Sequence, residues 1–157
     1  MQNQNTHYTR TIPALLIALV LGCFGLSPAA QAAGRPSIVG LWNVQYFQGT
    51  DFLFQTYDQW HSDGLEFEVN SIYPGAVCQG TFKQSAATGT VQLLHVIFTF
   101  DASGVLNGHI DETQTNTVSS DGNTYSGTND QKFCDLSGNF LFEATGTQTA
   151  TRLTVER

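Results

Sequence analysis

Segments in which apolar and polar residues alternate follow one another from position 38 to the carboxyl terminus. They are rich in Val, Ile, Phe, Tyr and Thr, and Gly, Asp and Asn separate them, which is typical of β-strands joined by turns. No segment keeps the three-four spacing of an amphipathic helix. The pattern predicts eight strands, at Ile38–Gln48, Phe52–His61, Leu65–Asn70, Val77–Gln84, Val91–Phe100, Val105–Val118, Thr124–Phe133 and Phe140–Val155.

Three turn sequences connect these strands as consecutive hairpins. Asp63-Gly64 and Asp121-Gly122 are Asp-Gly pairs of the kind that two-residue hairpin loops need. Asp101-Ala102-Ser103-Gly104 is typical of a type I turn closed by a glycine bulge. Closing such a meander removes its exposed edge strands. We therefore expect an all-β fold, a small antiparallel up-and-down β-barrel of about eight strands, with a small open sandwich as the alternative.

The second hairpin predicts which side chains share a face. With Asp63-Gly64 as a two-residue loop, the opposed pairs are Trp60 with Phe67, Asp58 with Val69, and His61 with Glu66. One side of this hairpin then carries Phe52, Phe54, Asp58, Trp60, Phe67 and Val69. That apolar side is the expected core side, and Asp58 is its one acidic member.

The later hairpins place a second set of residues on one face. If Phe100 pairs with Val105, His95 lies opposite Ile110 and His109 lies on the other face of the sheet. His95 and His109 then point to opposite faces, which argues against a two-histidine metal site. A threonine-rich face looks solvated, so the other face should point inward. It carries Leu93, His95, Ile97, Leu106, Ile110, Glu112, Tyr125 and Phe133.

The first 32 residues follow a different pattern. A polar stretch with Arg10 precedes the apolar run Ile12–Leu21, and Ala30-Gln31-Ala32 provides small residues at a cleavage position, as in a secretory signal. A membrane anchor would need about 20 apolar residues. A lipoprotein signal at Cys23 is a further alternative. We expect a signal peptide at 1–32, cleavage near Ala32 or Ala33, one β-barrel domain over 33–157, and a periplasmic or secreted protein.

Charge and cysteine content limit the partners. The formal net charge of −7 argues against nucleic acid, which demands a positive footprint, and against anionic membrane surfaces. We expect no nucleic-acid partner and no stable membrane insertion. Cys78 and Cys134 are the cysteines beyond the signal, and export to an oxidising compartment predicts a disulfide between them that straps one end of the barrel.

The ends of the domain resemble a known superfamily. Gly40-Leu41-Trp42 in the first strand, with Arg152 in the last, resembles the G-x-W motif and the carboxyl-terminal basic residue of the lipocalin and calycin barrels. The resemblance implies that the arginine lies across the indole at the closed end of the barrel, and it gives Gly40, Trp42 and Arg152 structural roles. The Asp101–Gly108 stretch is also similar to avidin-like barrels.

Three groups of residues are candidates for chemistry. Asp58 on an apolar face would have a raised pKa and suit a general acid or base, or else it hydrogen-bonds a backbone amide or Ser62. His61 with Glu66 would be either an orienting pair or a solvated cross-strand pair. His95 is a second catalytic candidate through a pair with Glu112, or a satisfied interior histidine. The candidate ligand-binding residues are Phe54, Asp58, Trp60, His95, Glu112 and Tyr125.

These observations favour an exported protein that binds a small apolar or aromatic molecule in the barrel, because small-molecule pockets combine aromatic walls with a few polar groups. We expect no cofactor and no metal. One alternative is a barrel enzyme, an isomerase, cyclase or lyase that moves protons with Asp58, His95 or Tyr125. Another is an exported protein-binding or inhibitor module that uses the apolar loop 71–75.

Overall fold

The predicted barrel is confirmed. A computed structural model describes residues 35–72 and 77–155, so the predicted signal peptide and its cleavage position lie outside the described residues. The strands form one closed antiparallel barrel in which each is hydrogen-bonded to its neighbours in the chain and β8 returns to β1. They are β1 (Gly40–Gln48), β2 (Asp51–Trp60), β3 (Leu65–Asn70), β4 (Val77–Gln84), β5 (Thr90–Phe100), β6 (Leu106–Val118), β7 (Thr124–Asp135) and β8 (Phe140–Leu153).

The eight-stranded up-and-down barrel is consistent with a calycin-like fold. All strand limits lie within two residues of those predicted. The described part of the chain contains no helix long and apolar enough to cross a membrane.

One end of the barrel, which we call the closed end, carries the turns after β2, β4 and β6. The opposite end, the mouth, carries the turns after β1, β3, β5 and β7.

The turn after β2 corrects the predicted register. It has three residues, Ser62–Gly64, between His61 and Leu65: Gly64 has a φ of 89° and donates to the His61 carbonyl at 3.1 Å, and His61 donates to the Leu65 carbonyl at 2.8 Å. Trp60 therefore lies opposite Glu66, and Asp58 lies opposite Glu68. A one-residue slip exchanges the two faces of a strand.

The slip reverses the predicted orientation of β3. Glu66, Glu68 and Asn70 are buried inside the barrel, whereas Val69 is 49% exposed and Phe67 lies on the outer face. The predicted pairs of Trp60 with Phe67, Asp58 with Val69 and His61 with Glu66 are wrong for this reason. Asp58 and Trp60 on β2 are buried as predicted.

The register between β5 and β6 differs by two residues from the prediction, and the faces are unchanged. His95 lies opposite Glu112 rather than Ile110, because the ladder shifts between Thr99 and Phe100. A register shift of two residues leaves every side chain on the same face of the sheet. Most of the predicted inward set is buried, namely Leu93, His95, Ile97, Ile110, Glu112 and Tyr125. Phe133 is half-buried, and Leu106, beside the shift, is 40% exposed.

The contact between Trp42 and Arg152 is confirmed at the closed end. The two residues are partners across β1 and β8, and the guanidinium carbon lies 4.1 Å from the indole centroid. Arg152 also donates to three backbone carbonyls, those of Gly122 at 2.6 Å, Val39 at 2.7 Å and Ser37 at 2.6 Å. Gly40 has a φ of 141°, and a Cβ there would lie 2.5 Å from Arg152 Nη1. The arginine thus joins both chain ends of the domain.

Two apolar clusters fill the ends of the interior. The cluster at the closed end contains Ile38, Trp42, Val44, Tyr46, Trp60, Val91, Leu93, Tyr125 and Ala150. A smaller cluster toward the mouth contains Cys78, Ile97 and Ile110, with Phe133 packed against it. Between them the alternation of the strands brings polar side chains inward, and this middle layer contains the candidate site.

Candidate functional site

A belt of polar side chains crosses the middle of the lumen. We call it the lumen belt; its members are all buried and are Tyr46, Thr56, Asp58, Glu66, Glu68, His95, Glu112, Gln114, Asn116, Tyr125 and Gln148. Four of them are carboxylic acids, on β2, β3 and β6. Buried acids are rare in proteins unless they are paired, so their hydrogen bonds decide what the belt can do.

Asp58 is held by two side-chain donors. Thr56 Oγ1 donates to Oδ1 at 2.6 Å, and the Tyr125 hydroxyl donates to Oδ2 at 3.1 Å. The sequence analysis gave a backbone amide or Ser62 as alternative partners of Asp58, and the structure shows Thr56 and Tyr125 instead. Burial raises the pKa of Asp58 to about 7, although both hydrogen bonds act in the opposite direction. An acid of this pKa is half protonated near neutral pH, which suits proton transfer.

Glu112 is the second acid of this kind. It accepts hydrogen bonds from Gln114 Nε2 at 2.6 Å and Gln131 Nε2 at 2.7 Å. Burial raises its pKa to about 7. Gln114 also donates to the Tyr46 hydroxyl at 2.9 Å, and Tyr46 donates to Glu68 Oε2 at 3.1 Å. Glu112 and Glu68, on opposite sides of the lumen, are therefore linked through the Gln114 amide and the Tyr46 hydroxyl.

Amide side chains complete the satisfied half of the belt. Asn116 Nδ2 donates to Gln114 Oε1 at 2.9 Å, Gln148 Nε2 donates to Asn116 Oδ1 at 2.7 Å, and Asn129 Nδ2 donates to Gln148 Oε1 at 2.9 Å. The chain joins β6, β7 and β8. Fully satisfied buried networks hold their members in one arrangement, so this side of the lumen is a fixed wall.

The opposite side contains His95 and Glu66. His95 Nε2 lies 3.6 Å from Glu66 Oε2, too far for a hydrogen bond, and the two side chains approach over Gly80. A Cβ on Gly80 would lie 3.1 Å from Glu66 Oε2 and 2.6 Å from Leu93 Cδ1, so glycine makes the approach possible. Burial lowers the pKa of His95 to about 4 and raises that of Glu66. Both shifts favour the neutral form of the group.

This pair differs from the predicted ones. Glu112, the predicted partner of His95, is its strand neighbour, but its hydrogen bonds come from glutamines. His61 lies on the outer face against Phe67, with ring centroids 5.4 Å apart, and has no contact with the inward-facing Glu66. The predicted His61–Glu66 pair is wrong because of the one-residue slip after β2.

Six polar atoms in the lumen are buried without a hydrogen-bond partner in the protein. They are Trp60 Nε1, Glu66 Oε1 and Oε2, Glu68 Oε1, and His95 Nδ1 and Nε2. Each such atom costs about 1–3 kcal/mol unless something else satisfies it. Trp60 and Glu66 are opposed across β2 and β3, and His95 faces Glu66, so the unsatisfied atoms share one side of the lumen.

Aromatic rings border this side toward the closed end. Trp60 packs edge-on against Phe82 at 4.9 Å and against Tyr125 at 6.0 Å. Nearer the mouth, Phe54 stacks on Tyr46 at 4.6 Å. All six candidate ligand-binding residues line the inner wall. Sequence reasoning named Glu66 but placed it on the outer face with His61, and it missed Glu68, Tyr46 and Gln114. The four residues between Trp60 and Leu65 were the available signal for the two glutamates.

The two cysteines face opposite sides of the barrel wall. Cys78 belongs to the inner cluster toward the mouth and accepts a hydrogen bond from Asn70 Nδ2 at 3.4 Å. Cys134 lies opposite His109, on the outer face. Both are free thiols in the structure. The disulfide stays a prediction, decided by counting thiols on unreduced, denatured protein.

One group of described side chains could hold a metal ion. The ligand atoms of His109, Asp111 and Cys134 lie within 4.8 Å of one another on the outer wall. This group is separated from the lumen belt by the thickness of the strands, since Ile110 and Glu112 on the same strand face inward.

Comparison with known proteins identifies no relative: no protein-family model, curated protein or solved structure matches this chain.

Proposed function

We propose that this chain is an exported small-molecule-binding barrel whose ligand lies in the lumen, between the aromatic rings of the closed end and the lumen belt. Its ligand combines an apolar or aromatic body with polar groups that complete the belt. Pockets that bind small molecules have this composition, an apolar wall with a few well-placed polar groups.

The observation that carries the proposal is the set of unsatisfied atoms of Trp60, Glu66, Glu68 and His95. Nearly all buried polar groups in folded proteins have partners. Here four neighbouring side chains have unused hydrogen-bonding capacity, while the other half of the belt is fully connected. A ligand that donates to the free oxygens of Glu66 and Glu68 restores bonds that the protein leaves unmade.

A second candidate is an acid–base enzyme on the same barrel. Asp58 and Glu112 favour it, because the pKa of each is raised to about 7, the range that proton transfer at neutral pH requires. An enzyme of this kind would return an isomer of the bound compound. Chromatography of the recovered compound distinguishes the two functions, with Asp58→Asn as the inactive control.

Intrinsic fluorescence tests binding because the two tryptophans of the chain both lie in the lumen. Trp42→Phe leaves Trp60, whose indole N–H is unsatisfied, as the reporter. Trp60→Phe leaves Trp42, whose Nε1 already donates to Ile38 at 2.7 Å, as the matched control.

The probes are indole, phenethylamine and 2-phenylethanol. We expect at least one to change Trp60 emission saturably and to raise the Tm, with a smaller change at Trp42. No effect of any probe at low millimolar concentration on a folded protein would overturn the proposal.

A further inference from the structure

The charges of the lumen belt are one-sided. It contains four carboxylic acids, Asp58, Glu66, Glu68 and Glu112, and no lysine or arginine of the described residues joins them. The described basic side chains are elsewhere: Lys83 and Lys132 are exposed, Arg35 donates to the Ala87 carbonyl, and Arg152 lies over Trp42 at the closed end. Only His95 is basic, and its buried imidazole is neutral.

The unsatisfied acceptors match one donor group. Glu66 Oε1, Glu66 Oε2 and Glu68 Oε1 are all carboxylate oxygens, and both residues point inward from the same strand. An ammonium group has three N–H donors and no acceptor. Hydrogen bonds between an ammonium and a carboxylate are about twice as strong as those between neutral groups.

We propose that the lumen binds an organic ammonium compound, whose cationic nitrogen lies against Glu66 and Glu68 and whose body packs against Trp60. The inference rests on the proposed function and names the ligand class. An organic cation fits the lumen better than a metal ion does. Among the described residues, the group whose ligand atoms lie close enough together to hold a metal is His109, Asp111 and Cys134, and it lies outside the lumen. The indole beside Glu66 adds a π face that attracts a cation.

Binding of a cation must be coupled to proton release. The groups that face the proposed nitrogen are Asp58 on β2, Glu66 and Glu68 on β3, Cys78 on β4, His95 on β5, Glu112 on β6, Tyr125 on β7 and Tyr46 on β1. Burial raises the pKa of all four carboxylic acids and so favours their protonated forms in the free protein. A bound ammonium stabilises the carboxylate form. Affinity should therefore increase as pH rises from 6 to 8.

Isothermal titration calorimetry of the full exported protein tests the inference with two probes of equal shape. Phenethylamine carries an ammonium, and 2-phenylethanol carries a hydroxyl in its place. We expect phenethylamine to bind about tenfold or more tightly, equivalent to about 1.4 kcal/mol. Titrations at pH 7 in phosphate and in Tris should show release of about one proton for each amine bound.

Each outcome has a distinct meaning. If the alcohol binds as tightly as the amine, or if no proton is released, the cation inference is wrong while the proposed function stands. If neither compound binds, both fail. These measurements use the wild-type protein, so they do not depend on whether a variant folds.

A pair of variants locates the cationic group. Glu66→Gln removes an unsatisfied lumen acid, and Glu143→Gln removes an exposed acid of β8. We expect Glu66→Gln to abolish the preference for the amine and Glu143→Gln to leave it within a factor of two. Equal preference in the two folded variants would overturn the assignment to Glu66.

Discussion

Stability of the barrel should decrease from pH 5 to pH 7, which is opposite to the usual behaviour of acids in proteins. Burial raises the pKa of Asp58 from 3.8 to about 7 and that of Glu112 from 4.5 to about 7. In this range the unfolded chain has released both protons while the folded chain retains them. The stabilisation is therefore complete below the unfolded pKa and is lost as pH rises through the folded pKa.

The magnitude follows from the shifts. Each acid changes the free energy of unfolding by about 1.4 kcal/mol per pH unit within its window. His95 opposes them, because its pKa is lowered from 6.5 to about 4 and its stabilisation is lost as pH falls through that range. Two acids against one histidine leave a net loss of about 3 kcal/mol from pH 5 to pH 7, and Glu66 and Glu68 act in the same direction.

Urea unfolding at pH 5, 6, 7 and 8 measures this loss. Asp58→Asn removes one titrating group, so its slope should be smaller by about 1.4 kcal/mol per pH unit. Stability that increases from pH 5 to pH 7 in the wild type, or an unchanged slope in Asp58→Asn, would refute the argument.

Three further predictions concern the ends and the wall of the barrel. Arg152→Ala should lower the free energy of unfolding by about 2 kcal/mol, because it removes the indole contact and the bonds to the Gly122, Val39 and Ser37 carbonyls. Denaturant midpoints measure this, with the exposed Lys132→Ala as control, and coincident midpoints would contradict it. Gly80→Ala should lower the free energy of unfolding by about 1–3 kcal/mol, since the added Cβ would lie 2.6 Å from Leu93 Cδ1 and 2.8 Å from the Leu94 carbonyl oxygen. A Tm equal to that of the wild type would count against the close approach of β4 and β5. Intact mass of the exported protein should correspond to a chain beginning near Ala33 or Gly34, and a mass that includes residues 1–30 or a lipid on Cys23 would contradict the signal peptide.

The strands could be predicted because they follow from the local pattern of apolar and polar residues. Their closure into a barrel could be predicted because open sheet edges are energetically costly. The inward positions of His95, Glu112 and Tyr125 were also predictable, since the register error after β5 was an even number. The inward positions of Glu66 and Glu68 could not be predicted, for two reasons. The loop after β2 is longer by one residue than its Asp-Gly pair suggests. In addition, alternating glutamates have the same sequence pattern whether they face solvent or a polar lumen.

The hydrogen-bond network could not be predicted from the sequence at all. It joins residues far apart in the chain, such as Gln114 with Tyr46 and Tyr125 with Asp58. Their proximity depends on the stagger of the closed barrel, which adds up over eight strand pairs. A single turn length therefore changes which side chains meet across the lumen.

The most direct test of the lumen as a ligand site is an intermolecular nuclear Overhauser measurement with phenethylamine. Trp60 and Leu93 are buried in the lumen, whereas Phe67 and Leu94 lie on the outside of the same strands or their neighbours. We expect Overhauser effects from the ring protons of the probe to the Trp60 indole and the Leu93 methyl groups. Effects confined to Phe67 and Leu94, or none at saturating probe, would contradict the account.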